Sequence, residues 1–495
     1  MDALHESWQS HMNIVEVIRS EVEDHLEGVA VIDGDRRISY RGLFSAVEEV
    51  AVELRACGVG GAQRVAFLCD DSLEYIVVSL AVLSVGAALA PVSSSHCRDE
   101  VNAILEELDA GFLIFEKELF RIEDARPIAS AGVCEKALLL HRRGARRELS
   151  AEYRALNPAF IRFSSGTTGA SKGVVLSHET ILERTDAADE GLQMGESDRV
   201  IWVLSMSHHF VVSILLFLRR GATIVLCCRE FLSSLVDGLG RHQGTFIYAS
   251  PFHYQMMTNS SLFSAEMFSN IRLAVSTAMR LPEADGRRFR QKFGSELAEA
   301  YGIIEVGLPF INRSRDSAKQ GSVGRMLPDY QVRIVNPDAD GIGEVQLRGK
   351  GMFDAYLSPW QTRERALSDG WFETGDLGRV DSDGFLFLSG RQKNVVNFAG
   401  MKVFPDEVEC VLDQHPAIRE SLVYGKAHAL YGELPCADIV LQEGAEAASI
   451  ETSELRRFCY QKLAPYKVPK EFHRVDRLDK TASGKLKRWG RITSS

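Results

Sequence analysis

Phe163-Ser-Ser-Gly-Thr-Thr-Gly-Ala-Ser-Lys-Gly-Val174 is a run of small, hydroxyl-bearing residues entered from apolar Phe160-Ile161 and left through Val174-Val175-Leu176. Gly166 and Gly169 let the backbone approach an anion closely, and Ser164, Ser165, Thr167 and Thr168 offer donors to phosphate oxygens. Lys172 adds a cation. The pattern differs from the P-loop G-x-x-x-x-G-K-[ST], because Ser171 stands where a second glycine is required and Gly173 follows the lysine. Near the carboxyl end, Lys480-Thr-Ala-Ser-Gly-Lys-Leu486 carries Lys485 on a glycine-flexed loop. If both segments reach the same phosphates, Lys485 stabilises charge that develops only in the transition state. ATP-driven activation of a carboxylate is the chemistry this pairing predicts.

A chain of 495 residues with 45% hydrophobic content exceeds one core, so two or more domains are expected. Nine cysteines without a C-x-x-C pair, Cys227 and Cys228 being adjacent, read as reduced thiols rather than a disulfide framework or a zinc site. The opening Met1-Asp-Ala-Leu-His-Glu6 has an acid where a signal peptide carries bases, which predicts a cytoplasmic protein. The apolar run Tyr75 to Val92 is short for a membrane span and reads as a buried helix leading into a strand. A net charge of −11 argues against nucleic acid as a partner. The segment Leu455 to Ser495 is locally basic, with 12 basic against 3 acidic residues. It reads either as a solvated face or as a surface for phosphates on ATP, coenzyme A or an acidic carrier protein.

Strand-like runs at 64–69, 112–115, 199–204, 223–228, 246–249 and 271–275 are separated by helical-length stretches. The fold class is therefore α/β, with parallel-rich sheets covered by helices. After Ser322, Asp-Gly turns at Asp340-Gly341, Asp369-Gly370 and Asp383-Gly384 predict hairpins or a small barrel-like part. A boundary is expected at Gln392 to Asn394.

The segment 163–174 resembles the signature of the adenylate-forming superfamily, which holds acyl-CoA synthetases, adenylation domains of peptide synthetases and luciferases. Further stretches agree in order across nearly the whole chain. Ser205-Met-Ser-His208-His209-Phe210 resembles the segment beside the acyl pocket. Ser276-Thr277-Ala278 and Tyr301-Gly302-Ile303-Ile304-Glu305 resemble the adenine and magnesium motifs. Gly370-Trp-Phe-Glu-Thr-Gly-Asp376 resembles the ribose motif. Gly390-Arg391-Gln-Lys393-Asn394, continuing to Gly400 and Val403-Phe-Pro-Asp-Glu-Val-Glu409, resembles the hinge and the opening of a small domain.

The resemblance implies a large amino-terminal adenylation domain over residues 1–390, a hinge at 391–394 centred on Asn394, and a small mobile α+β domain over 395–495. Tyr301 and the 276–278 turn suit adenosine, Asp376 suits the ribose diol, and Arg391 suits phosphate or ribose oxygens. Glu305 suits magnesium beside phosphate. His208, His209, Phe210, Ile303 and Leu308 are expected around the acyl group, and the loop at Gly400 on the thiol side. Lys485, His208 and Glu305 are the expected catalytic residues, with ATP and Mg2+ as cofactors and coenzyme A or a phosphopantetheine arm as acceptor.

His209 falls where amino-acid-activating relatives place an ammonium-binding aspartate. An unpaired buried ammonium costs several kcal/mol, which favours an aliphatic or aryl acid over an ordinary α-amino acid. Three departures stand out: Ile304 replaces a threonine, Asn394 replaces the hinge aspartate, and Asn397 replaces a lysine. The loss of the hydroxyl at 304 predicts slower adenylation, and it also motivates the alternative of a catalytically weak nucleotide- or acyl-binding homologue acting as sensor or scaffold.

Overall fold

The computed structural model describes residues 12–128, 135–143, 148–163, 172–228, 231–399, 401–428, 430–442, 450–480 and 486. The expected α/β organisation is present. A thirteen-stranded sheet has a parallel centre built from Val29–Asp33, Thr223–Leu226, Arg199–Trp202, Phe246–Ala249, Leu273–Ser276 and Leu297–Ile303. A nine-stranded sheet has Arg64–Leu68 at its middle, parallel to Ala88–Val92 and Phe112–Glu116. Apart from Leu297–Ile303, whose burial alternates, these strands are apolar and buried on both faces, as parallel strands are.

The apolar run read as a buried helix and strand becomes helix Leu73–Ser84 and strand Ala88–Val92. Every helical residue from Leu73 to Leu83 is buried, and Ser72 caps the helix by accepting a hydrogen bond from the Tyr75 amide at 3.3 Å. Its side chains join a core shared by both large sheets.

From Gly307 the chain turns to antiparallel strands, and Gly307–Asn312 and then Gly324–Met326 extend the thirteen-stranded sheet. Strands Tyr330–Val335 and Gly343–Gly349 form a hairpin around Asp340-Gly341, and Phe372–Val380 and Phe385–Arg391 form another around Asp383-Gly384. Gly341 and Gly384 take φ of 76° and 82°, the left-handed conformation that these turns require.

Residues Gln392–Asn394 form one 3-10 turn between the last of these strands and Val396–Phe398. Beyond it a five-stranded sheet packs with helices Pro405–Leu412 and Thr452–Tyr460 around Val396, Val408, Val423, Ile439 and Leu455. This core is separate from that of the large sheets. Leu486 bridges to Lys480 and packs beside Leu422, Val440 and Leu478, which ties both flanks of the 481–485 segment to the small sheet.

No described cysteine is in a disulfide. Among the described residues no helix is long and apolar enough to cross a membrane.

Candidate active site

The site forms where parallel strands end at their carboxyl termini, the edge of an open α/β sheet that loops and ligands share. Strand Pro158–Phe163 pairs antiparallel with Gly173–Ser177, so segment 164–172 joins the two at one end. Ser164, Ser165, Gly166, Thr167, Thr168 and Gly169 lie outside the described residues, as do Gly400 and Lys485. Lys172 is described, and its Nζ stands 4.6 Å from the centre of the Tyr356 ring. Strand Ala355–Tyr356 pairs with Gly173–Ser177, which holds that ring beside the base of the loop.

The Tyr356 hydroxyl donates to Glu305 Oε1 at 3.4 Å. Burial pushes the Glu305 carboxyl above its ordinary range, while its own backbone amide, Tyr356, Arg162 and Arg391 pull it back toward the charged form. No cluster of three or more metal-ligating side chains exists among the described residues. A single partly exposed carboxylate nevertheless fits magnesium, which takes most of its oxygens from water and phosphates.

The turn 303–307 that carries Glu305 is pinned from beneath by Arg184, a fully buried side chain of helix His178–Leu192. Arg184 Nη1 donates to the Ile304 carbonyl at 3.0 Å, and Nε and Nη2 donate to the Gly351 carbonyl at 3.0 and 2.6 Å. Gly351 admits this approach because a Cβ there would meet Arg184 Cβ at 2.4 Å.

On the other side of Glu305, Asp376 and Arg391 face each other across the Phe372–Val380/Phe385–Arg391 ladder. Arg391 Nε lies 2.7 Å from Asp376 Oδ1, and the Tyr301 hydroxyl donates to Asp376 Oδ2. Asp376 is 6% exposed, so its acceptor lone pairs are fixed in direction. The Ser276-Thr277-Ala278 segment follows strand Leu273–Ser276, with Thr277 N donating to the Ala249 carbonyl at 3.0 Å. Ala278 has φ of 71°, a conformation costly for a residue with a Cβ, and such strain concentrates at binding sites. Gly302 is exposed and lies so near the Gly307 carbonyl that a Cβ would come within 2.5 Å of it.

His208 and His209 close the short helix Met206–His209, and a π-helical turn, Phe210–Ile214, follows. Such turns place side chains out of ordinary helical register and recur at functional sites. Ser207 Oγ holds His208 Nδ1 at 2.8 Å, and the His209 ring lies edge-on to Trp202 at 6.4 Å. Phe210 is fully buried against Tyr75, with ring centres 5.9 Å apart, and Leu308 is 2% exposed. Ile303 and Ile304 are partly buried against the same core. Asn394 sits in the 3-10 turn beside Lys393, whose pKa is lowered to about 8 by burial and by Arg391.

Besides Arg162, three residues here escaped the sequence reading. Arg184 and Tyr356 are isolated in unremarkable stretches. Asp71 accepts the Met206 amide at 2.9 Å and so fixes the start of the histidine turn, and burial pushes its carboxyl up to about 7. The one available signal was a charge inside an apolar pattern.

Comparisons with known proteins place the chain in a family. The AMP-binding enzyme family model matches residues 18–357, and the AMP-binding enzyme C-terminal domain model matches residues 407–485. Indoleacetate–CoA ligase of Aromatoleum aromaticum is 27% identical over 92% of each chain. ATP-bound MatB of Rhodopseudomonas palustris superposes with a TM-score of 0.82 at 25% identity, covering 96% of this chain and 97% of that one. The o-succinylbenzoate CoA synthetase MenE of Bacillus subtilis, in complex with its acyl-adenylate intermediate, superposes with a TM-score of 0.80 at 25% identity, covering 95% and 96%. The chain belongs to the AMP-binding enzyme family and is an adenylate-forming acid–thiol ligase.

Proposed function

We propose that this ligase uses magnesium ATP to convert an aliphatic or aryl carboxylic acid to its acyl-adenylate and then passes the acyl group to the thiol of coenzyme A or of a separate carrier protein. The observation that carries the reading is the position of Glu305. It lies in the fields of Arg391, which pairs with the Tyr301-bound Asp376, and of Arg162, which holds the His208 carbonyl. Groups suited to nucleoside, phosphate and acyl chain thus flank one carboxylate.

In the first half-reaction a carboxylate oxygen of the acid attacks the α-phosphorus and pyrophosphate leaves. Catalysis of this step is positioning and charge stabilisation. Asp376 and Tyr301 orient the nucleoside, Arg391 meets ribose or phosphate oxygens, and Lys172 with the 164–169 segment cradles the triphosphate. Glu305 would hold magnesium, which neutralises phosphate charge when bound. Lys485 bridges carboxylate and phosphate. In the second half-reaction residues 395–495 swing about Asn394 as a small domain, Lys485 withdraws, the segment at Gly400 arrives, and the thiol displaces AMP. Residues 1–390 form the stationary part. Coenzyme A is the acceptor favoured by the relatives' names, and the basic stretch 455–495 suits its phosphates.

Acid-dependent exchange of pyrophosphate into ATP tests the reading, across acids sorted by chain length, aromaticity and amino substitution. Exchange with at least one aliphatic or aryl acid, and background with α-amino acids, is expected. Background exchange with every acid, unchanged in Lys485→Ala, would leave the sensor or scaffold reading. Mass spectrometry of products formed with coenzyme A and with purified carrier proteins identifies the thiol.

A further inference from the structure

Arg162 is a charged side chain in an otherwise apolar strand, Pro158–Phe163. Ile161 and Phe163 belong to the core on one face of the nine-stranded sheet, whereas Phe160 belongs to the core on the other. Alternation therefore turns Arg162 toward the face of Phe160, where Tyr75, His208 and Glu305 stand. Its Nη1 donates to the His208 carbonyl. No carboxylate among the described residues forms an ion pair with it, although a guanidinium has five N–H donors. The side chain is only partly buried, and none of its nitrogens is an enclosed orphan. Beside it, the fully buried Tyr75 hydroxyl has no hydrogen-bond partner among the described residues. Burial lowers the Arg162 pKa to about 10, opposed by Glu305 and Tyr75, so the group is cationic at neutral pH.

A tether for the His208 carbonyl needs one neutral donor, and burying a cation for that purpose alone is costly. We propose that Arg162 is a specificity-determining residue that anchors a carboxylate of the acid substrate. The planar fork matches a carboxylate bidentately, which a lysine cannot do. Set between the His208 turn and Glu305, it neutralises an anion that must approach a triphosphate of like charge. The inference rests on the adenylating reading above and narrows it: the substrate is recognised as an anion from within the acyl side of the cleft, independently of Lys485.

The test measures steady-state constants for acid and for ATP, and thermal stability, in the full-length wild type, Arg162→Met and Arg162→Lys. The Met variant is expected to raise KM for the acid about 100-fold with KM for ATP within about threefold, and Lys to restore part of the loss. A rise for every acid marks the reacting carboxylate as the bound group, and a rise confined to acids with a second anionic group marks the distal one. A rise in KM for ATP with KM for the acid unchanged overturns the proposal in favour of a phosphate contact. A fall in kcat and melting temperature with KM for the acid unchanged overturns it in favour of the tether. Failure of the adenylating reading shows separately, as background exchange in the wild type. In that case equilibrium dialysis of the acids against wild type and Arg162→Met decides the anchor without turnover: tighter binding by the wild type supports it, equal binding overturns it.

Discussion

Glu305 combines two opposed demands, a charge kept ready for a metal and a position that penalises charge. Its folded pKa is raised by burial. For a carboxyl so shifted, the folded state binds more protons than the unfolded one, so stability is full at pH below the unfolded value and declines as pH rises through the folded value. Glu305→Gln removes that decline. At pH 8 the variant should melt no lower than the wild type, while its adenylation rate falls at least tenfold and its magnesium requirement weakens. A variant that melts lower and keeps its magnesium dependence would show that Glu305 is structural. Arg184 has the opposite character. Removing it orphans the Ile304 and Gly351 carbonyls in a fully buried site, so Arg184→Met should cost about 3–5 kcal/mol in urea unfolding. A loss below about 1 kcal/mol would mean that the 303–307 turn holds itself. That Tyr301, Asp376, Arg391 and Glu305 lie near one another was legible in the sequence, because each stands in an ordered motif. Arg162, Arg184 and Tyr356 were not, because a lone Arg or Tyr reads as surface or core until the strands that surround it are known.

The histidine turn shows how an element is assembled from distant chain. Met206–His209 is four residues long, too short to persist by its own hydrogen bonds. Asp71 accepts its first amide, Arg162 holds its last carbonyl but one, and the π turn after it re-aims Phe210 into the core. With its pKa raised to about 7 by burial, Asp71 gives a stability contribution that is full below its unfolded value near 3.8 and lost as pH rises through about 7. Asp71→Asn keeps an acceptor for Met206 without the charge. Its melting temperature should match the wild type at pH 4 and exceed it at pH 8.5, and a difference that does not grow with pH would contradict the assignment. Parallel strands were legible from their apolar runs, and the hairpins after Ser322 from their Asp-Gly turns. The π turn was not, because its residues carry an ordinary apolar helical pattern and the register shift is imposed by packing.

At the scale of the whole molecule, the hydrophobic cores of the large sheets and the separate core of the small sheet are joined through the 3-10 turn Gln392–Asn394. The proposed rotation needs torsional freedom there. Asn394→Pro fixes φ near −65°, so it should leave pyrophosphate exchange within about threefold and slow thioester formation at least tenfold. Equal slowing of both half-reactions would argue against a hinge at this position. The two-part plan was legible as a change of texture and a motif near residue 391, whereas the acid and the thiol were not, since cleft depth depends on packing that no single motif encodes. The account depends on Lys485 and the 163–174 segment acting on the same nucleotide. Single-turnover kinetics of Lys485→Ala measure this most directly, comparing acyl-adenylate formation from acid and ATP with thioester formation from preformed acyl-adenylate. The account predicts a loss of about 100-fold, roughly 3 kcal/mol, in the first and little change in the second. Equal rates in both half-reactions for variant and wild type would contradict it.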